Sequence, residues 1–229
     1  MKRCVLIGLG GIGAPCAMAL ARSAFQGALR VVDDDVVDVL NLHRQILFEP
    51  ADLGQPKVAI AARLERSGLT IETRAARALP ETVMDWIAGA DVIVDGSDNY
   101  ATKFLLADAA RLAGIPLVTG AALEWRGTVF VSPLSGACYR CLFEDLPREG
   151  GPACADVGVM GPIVGLIGVL SADAALRVLG GLRESEVITL DAQGRARRHA
   201  VARRTSCALC GVAPRIVRVE RASYTQGGA

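Results

Sequence analysis

A chain of 229 residues is long enough for one large domain with a sizeable core, or one domain and an appendage. Its formal charge of +1 supplies no field to gather nucleic acid, and no lysine-rich tract marks a local one. Hydrophobic residues make up 52% but aromatics only 4%, so the core must be built from Ala, Val and Leu, which suits a buried parallel sheet between helices.

No basic-then-apolar leader precedes Val5, so no signal peptide is expected. The longest uncharged run, residues 157–172, has 16 residues with four glycines and a proline. A membrane span needs about 20. A buried helix in a cytoplasmic protein is the expectation.

The first stretch organises the chain. Val5 to Ile7 is a short apolar run, glycines stand at Gly8, Gly10, Gly11 and Gly13, and small residues fill 14–24. This predicts strand, tight turn and helix. Glycines at these spacings let the backbone turn sharply and let a phosphate reach the N–H groups at the helix N-terminus. Residues 28–33 read as a second strand ending in Asp33, 20 residues after Gly13, where an acid can hydrogen-bond ribose hydroxyls.

Beyond Asp33 comes a polar, patterned stretch with Asp35, Asn41, His43, Arg44 and Gln45, and then Gly54-Gln-Pro-Lys57 leads into a helix at 58–67. A strand is expected at 70–76, a helix at 80–88, and a buried strand at 90–95 closed by Gly96, Ser97, Asp98 and Asn99. A helix at 101–113 and a strand at 115–120 follow. The alternation predicts an α/β fold with a doubly wound, mostly parallel, Rossmann-like sheet. Near Glu124 the texture changes to short strands and cysteines. Residues 142–152 read as a charged, Gly/Pro-rich crossover, 161–180 as a Gly/Ala-rich helix, 187–191 as a strand, and 216–220 as a last short strand before a polar tail.

Two cysteine pairs, Cys138/Cys141 and Cys207/Cys210, are separated by 66 residues. Each C-x-x-C knuckle puts two thiolates on one side of a tetrahedral cation, and two knuckles close a Cys₄ zinc site. Such a site leaves no position for substrate, so the zinc is expected to be structural and to staple distant segments. The bland alternative is two independent buried thiol pairs or a redox pair.

The glycine loop alone also fits a dinucleotide dehydrogenase, and the stretch from Gly8 to Asp33 leaves NAD open. Asn41, Arg44, Lys57 and Asp98 shift the balance. Two spaced cations near a diphosphate suit a triphosphate, whose oxygens they neutralise, and Asp98 offers a carboxylate to Mg²⁺. Taken singly, Arg44 and Lys57 read as solvated charges and Asp98 as a helix cap.

These motifs, in this order, resemble the MoeB/ThiF/HesA family of ubiquitin-activating-enzyme-like adenylyltransferases, which activate small sulfur-carrier proteins. The resemblance covers Gly8-Leu-Gly-Gly-Ile-Gly13, Asp33-x-Asp35, Asn41-Leu-His-Arg44-Gln45, Gly54-Gln-Pro-Lys57, Ser97-Asp98-Asn99 and both cysteine pairs, roughly residues 4–211. It implies ATP-dependent adenylylation of the C-terminal glycine carboxylate of a ubiquitin-like carrier ending in Gly-Gly, with release of pyrophosphate. By position, the glycines, Asp33, Asp35, Asn41, Arg44, Gln45, Lys57, Asp98 and Asn99 would bind the nucleotide, and Asp98 would hold Mg²⁺. Arg44, Lys57 and Asp98 would carry the reaction. On this reading residues 1–215 form one domain, with a nucleotide-binding part at 1–124 and a zinc and carrier-binding part at 125–215, and residues 216–229 form a terminal strand and tail.

In similar proteins a cysteine before a Gly-Val-Met-like helix start links to the carrier, which makes Cys154 a candidate whose thiolate a helix N-terminus would favour. Cys4 and Cys16 read as buried small hydrophobes, and His43 is assigned no role. His199, in the basic run 195–204, reads as surface that favours an acidic partner. Relatives place a helix before the first strand and, in some, an arginine from it in the neighbouring subunit's site; here that contribution is not expected. No rhodanese-like domain is expected either, so sulfur would come from a separate sulfurtransferase. The resemblance implies a homodimer through the helix at 161–180. The rival readings are a non-catalytic family member, an NAD-dependent oxidoreductase, and an enzyme activating a carboxylate on modified tRNA.

Overall fold

The computed structural model describes residues 1–147 and 158–224. The first half runs β1 (Lys2–Ile7), α1 (Gly13–Arg22), β2 (Gly27–Val32), α2 (Lys57–Ala61), β3 (Leu69–Arg74) and α3 (Val83–Ile87). It continues with β4 (Val92–Asp95), α4 (Tyr100–Leu112) and β5 (Leu117–Leu123). The second half is β6 (Arg126–Ser132), α5 (Tyr139–Leu142), α6 (Gly161–Leu179), β7 (Glu186–Leu190) and β8 (Ala196–Ala200).

Alternate residues of the central strands feed two separate cores. Cys4 and Leu6 of β1 join one with Val92 and Val94 of β4, whereas Val5, Ile7 and Ile93 join the other. This is the strand period of two with both faces apolar, as a sheet covered on both sides requires. α1, α2 and α6 supply the first core, and α3, α4 and α5 the second. The eight strands lie in the order β3-β2-β1-β4-β5-β6-β7-β8. Pairing from β3 to β5 is parallel, and from β5 to β8 antiparallel.

The change of texture near Glu124 coincides with this switch in pairing, and the sheet itself runs on without a break. β5 turns into β6 through Glu124 and Trp125, with Leu123 paired to Arg126. Glu124 takes the left-handed conformation, φ 51°, that a tight hairpin demands. Its N–H donates to the Gly158 carbonyl, and its carbonyl accepts from the Met160 N–H, so the hairpin tip anchors the entry to α6.

Three expectations change. The helix expected at 58–67 is α2 followed by a 3₁₀ turn, Ala62–Leu64. It stops because the Arg66 and Leu69 backbones pair in a tight turn through Gly68 (φ 82°), while the Arg66 guanidinium binds the carbonyls of Ala21, Ser23 and Phe25. Residues 216–220 form no strand. The N–H groups of Arg215 and Ile216 both go to the Ala208 carbonyl inside the second cysteine knuckle, which takes that segment away from the sheet. The basic run after Arg195 instead supplies β8, an edge strand exposed along all five residues. Its arginines guard the open edge against pairing with another chain.

α6 is long and apolar enough by length and composition to cross a membrane. Its glycine content has a packing cause. A Cβ on Gly168 would lie 2.4 Å from the Ile12 carbonyl oxygen and 3.0 Å from the Cys16 nitrogen, so α6 and α1 meet backbone to backbone. On the sheet side, Gly127 makes room for Ile167, which a Cβ there would approach to 2.4 Å. Gly168→Ala should therefore lower unfolding stability by about 1–3 kcal/mol through overpacking, read from the urea midpoint at constant slope. An unchanged midpoint would mean that the two helices have slack.

Candidate active site

The C-terminal ends of β1, β2, β4 and β5 open onto a cleft of about 750 Å³. Ligands gather there in open α/β sheets because the connections diverge on either side of one strand. Here β1 is that strand, with β2 on one flank and β4 on the other.

The glycine loop forms its floor. Gly8, with φ 87°, sits where a Cβ would meet the Gly96 carbon at 2.9 Å, and Gly8, Gly10 and Gly11 line the cleft. Gly13 does not line it. A Cβ there would lie 1.9 Å from the Gly8 oxygen, so this glycine serves the close fold of the turn. Asp33 is tied to the loop, its carboxylate accepting from the N–H of Leu9 at 2.6 Å and of Asp35 at 2.9 Å. Burial pushes the Asp33 carboxyl above its ordinary range, against those two N–H bonds and the Lys57 charge, which pull it down.

The two expected cations reach the same cleft. Lys57, only 2% exposed, donates to the solvent-exposed Asp35 carboxylate at 2.7 Å. An incoming phosphate oxygen can take over that buried ammonium and leave Asp35 to water. Arg44 is aimed by Asn41, whose side-chain oxygen accepts from Nη2 at 2.6 Å, and Nη1 lies 3.3 Å from the His43 ring. Gln45 is buried at the cleft wall, and its Oε1 has no partner among the described residues.

Asp98 and Asn99 divide their work. Asn99 caps α4, accepting from the Thr102 N–H at 2.8 Å, so the cap role weighed for Asp98 belongs to its neighbour. Asp98 faces the cleft, exposed, and its carboxylate has no hydrogen bond among the described residues. A free carboxylate oxygen open to water is the kind of single protein ligand that fits a hydrated Mg²⁺, the remaining positions going to water and phosphate. Sequence reasoning missed Lys103, a buried lysine on α4, together with Arg77, Arg126 and Thr128, which also line the cleft. A lysine inside an otherwise apolar helical stripe was the one available signal. Cys154 lies outside the described residues.

The four knuckle cysteines come together as expected. All are buried, and their sulfurs lie within 4.8 Å of one another, with Cys138–Cys141 at 3.9 Å, Cys138–Cys207 at 3.5 Å and Cys141–Cys210 at 3.4 Å. Tetrahedral Zn–S bonds of about 2.3 Å would set the sulfurs roughly 3.8 Å apart, so the cluster fits a closed metal site with little adjustment. The Arg204 N–H points at the Cys141 sulfur at 3.4 Å, as a donor to a thiolate would. Burial raises the Cys207 thiol, but the N–H groups of Cys210 and Leu209 and the neighbouring thiols outweigh it and bring it to about 7. Cys4 and Cys16 are buried elsewhere, and burial pushes the Cys4 thiol up to about 12, which leaves it an inert apolar side chain.

The ThiF family model matches residues 1–210 of this chain. The chain belongs to the ThiF family. It is 41% identical over 191 residues to the SAMP-activating enzyme E1 of Haloferax volcanii, covering 82% of this chain and 70% of that protein. It is 38% identical over 224 residues to the sulfur carrier protein adenylyltransferase of Thermus thermophilus, covering 92% and 82%. Against the adenylyltransferase and sulfurtransferase MOCS3 of Sus scrofa it is 41% identical over 226 residues and spans half of that longer protein. The crystal structure of E. coli MccB shares the fold, with a TM-score of 0.80 at 20% identity, covering 93% of this chain and 66% of that chain.

Cys207→Ser should lower bound metal and melting temperature together, checked by elemental analysis and thermal unfolding. An unchanged metal count would rule out the four-cysteine site.

Proposed function

We propose that this protein is an ATP-dependent adenylyltransferase that activates the C-terminal glycine carboxylate of a ubiquitin-like sulfur-carrier protein. The observation that carries this reading is the meeting of Arg44, Lys57 and Asp98 with the glycine loop in one cleft. The relatives named for adenylylation of such carriers support it, as does the crystallisation of MccB with ATP.

The chemistry follows from charge. A carboxylate is already ionised at neutral pH, so no general base is needed. Its attack on the α-phosphate brings two anions together, and the product is an acyl-adenylate with pyrophosphate as leaving group. Arg44 and Lys57 offset that repulsion and hold the phosphates for an in-line approach. Asp33 accepts from the ribose, and Asp98 holds Mg²⁺, which neutralises charge on the triphosphate when bound. Because Asn99 is spent on the helix cap, it contributes by fixing the Asp98 loop. The cysteine cluster holds Zn²⁺ as a structural staple.

A flexible Gly-Gly tail suits the cleft's open side, where Ala122, Leu123 and Arg126 of the β5–β6 hairpin form the lip. The outer face of α6, with Leu166 43% and Val169 48% exposed, is the surface for a homodimer. The protein works in the cytoplasm, and Cys154 is the thiol for any covalent link to the carrier.

The decisive experiment is ATP–pyrophosphate exchange with ubiquitin-like proteins ending in Gly-Gly and their tail-deleted controls. Exchange that depends on one partner's terminal glycine supports the reading; Mg–ATP binding with no exchange for any partner would turn it toward the non-catalytic family member. With the productive carrier, Asp98→Ala should cut exchange by about 100-fold or more while fold and metal content stay intact. Leu166→Asp should shift a dimer toward monomer in light scattering, and an unchanged mass would place the contact elsewhere.

A further inference from the structure

Lys103 stands one turn into α4, follows the cap residue Asn99 by four positions, and is 5% exposed. Helix positions on this side otherwise carry apolar residues such as Phe104 and Leu106. A buried ammonium survives only if its protons are all used. Lys103 Nζ donates to the carbonyls of Ser97 and Gly120, each at 2.7 Å, and lies 3.4 Å from the Asp95 carboxylate. Three acceptors, two from residues 95–97 and one from β5, meet three protons.

Those segments frame Asp98. Asp95 ends β4, Gly120 lies on β5, and Ser97 immediately precedes Asp98. Ser97 is gripped from both sides. Lys103 holds its carbonyl, and Asp95 accepts from its N–H at 2.9 Å and its hydroxyl at 2.6 Å. Asn99, on the other side of Asp98, is fixed by its cap bond. The loop is thus pinned at the residues flanking Asp98, while the Asp98 carboxylate is left free toward the cleft.

We propose that Lys103 is a positioning residue for the Mg–nucleotide site: it holds the Ser97 carbonyl so that the Asp98 carboxylate faces the phosphates without reorganising. This rests on the proposed adenylylation. A methylene stem in place of the ammonium would leave two carbonyls and the buried Asp95 carboxylate short of a donor, and the loop would relax toward water. The competing account is that Lys103 only neutralises Asp95 and has no effect on metal binding.

Full-length Lys103→Met, Lys103→Gln and Lys103→Arg separate the two. Each is assayed for melting temperature, zinc content, Mg²⁺ dependence of ATP binding by calorimetry, and Mg²⁺ dependence of exchange. Lys103→Met should raise the Mg²⁺ concentration for half-maximal binding and exchange about tenfold or more, as loss of a group behind a metal ligand does, with zinc content unchanged. Lys103→Gln, which keeps two N–H donors but loses the third and the charge, should shift it in the same direction, and Lys103→Arg should stay close to wild type. A folded Met or Gln variant with lower melting temperature but unchanged Mg²⁺ dependence would overturn the proposal; if Lys103→Met fails to fold, Lys103→Gln decides. Wild-type protein that binds Mg–ATP but exchanges with no carrier removes the proposed substrate and leaves the Lys103 test standing on binding alone.

Discussion

Everything at the site depends on three backbones that meet without room for a methyl group. A Cβ on Gly96 would lie 2.9 Å from the Gly8 oxygen and 3.0 Å from the Gly13 Cα, and one on Gly13 would overlap Gly8. This contact joins the loop after β1 to the loop after β4. The first lines the cleft with Gly8, Gly10 and Gly11, and the second presents Asp98. Any side chain at these positions would push the two loops apart, and the cations on the far wall would then face a wider gap. Glycine here sets the width of the cleft.

The same device recurs one layer out. Gly168 lets α6 touch α1 at the turn that follows the glycine loop, and a Cβ on Gly161 would lie 2.7 Å from the His43 carbonyl oxygen. The helix entering from the second half of the chain therefore braces both the nucleotide loop and the segment that carries Arg44. This explains why an apolar helix with a membrane-like composition belongs in the core of this fold. Gly161 and Gly168 are contact points with specific backbones, and Ile167 between them packs against the sheet at Gly120 and Gly127.

The parallel half was legible in the sequence because its central strands, β1 and β4, are apolar on both faces and end in a glycine or polar cluster, whereas β3 at the sheet edge is half polar and buries only Leu69. The C-terminal boundaries were harder to read. β8 is an exposed Ala-Arg-Arg-His-Ala stretch whose identity as a strand comes from pairing with β7, and nothing in its own pattern distinguishes it from a solvated loop. Residues 216–220 alternate like a strand, yet their neighbouring N–H groups are taken by the cysteine knuckle. At the site, residues carrying unusual chemistry in sequence order (Asp33, Arg44, Lys57, Asp98) were visible. Gly13 was placed in the cleft because spacing cannot tell a glycine that faces a ligand from one that lets the chain pass.

Lys103 escaped notice for a related reason: two of its three partners are main-chain carbonyls, which leave no mark in a sequence. Its placement also shows how the two halves are coupled. α4 carries Asn99 and Lys103 near its start and Asp108 two turns further on. Asp108, fully buried, accepts from Arg140 Nε at 2.7 Å and Nη2 at 2.8 Å and from the Tyr224 hydroxyl at 2.8 Å. Arg140 lies between Cys138 and Cys141. A buried carboxylate of this kind is tolerable only while its cationic partner stays in place, and the cysteine cluster keeps it there. The cysteine cluster thus fixes Arg140, Arg140 fixes the middle of α4, and the first turn of α4 fixes the loop that presents Asp98. Packing far from the cleft can in this way govern how steadily that carboxylate is held toward it, with no electron or proton passing between them.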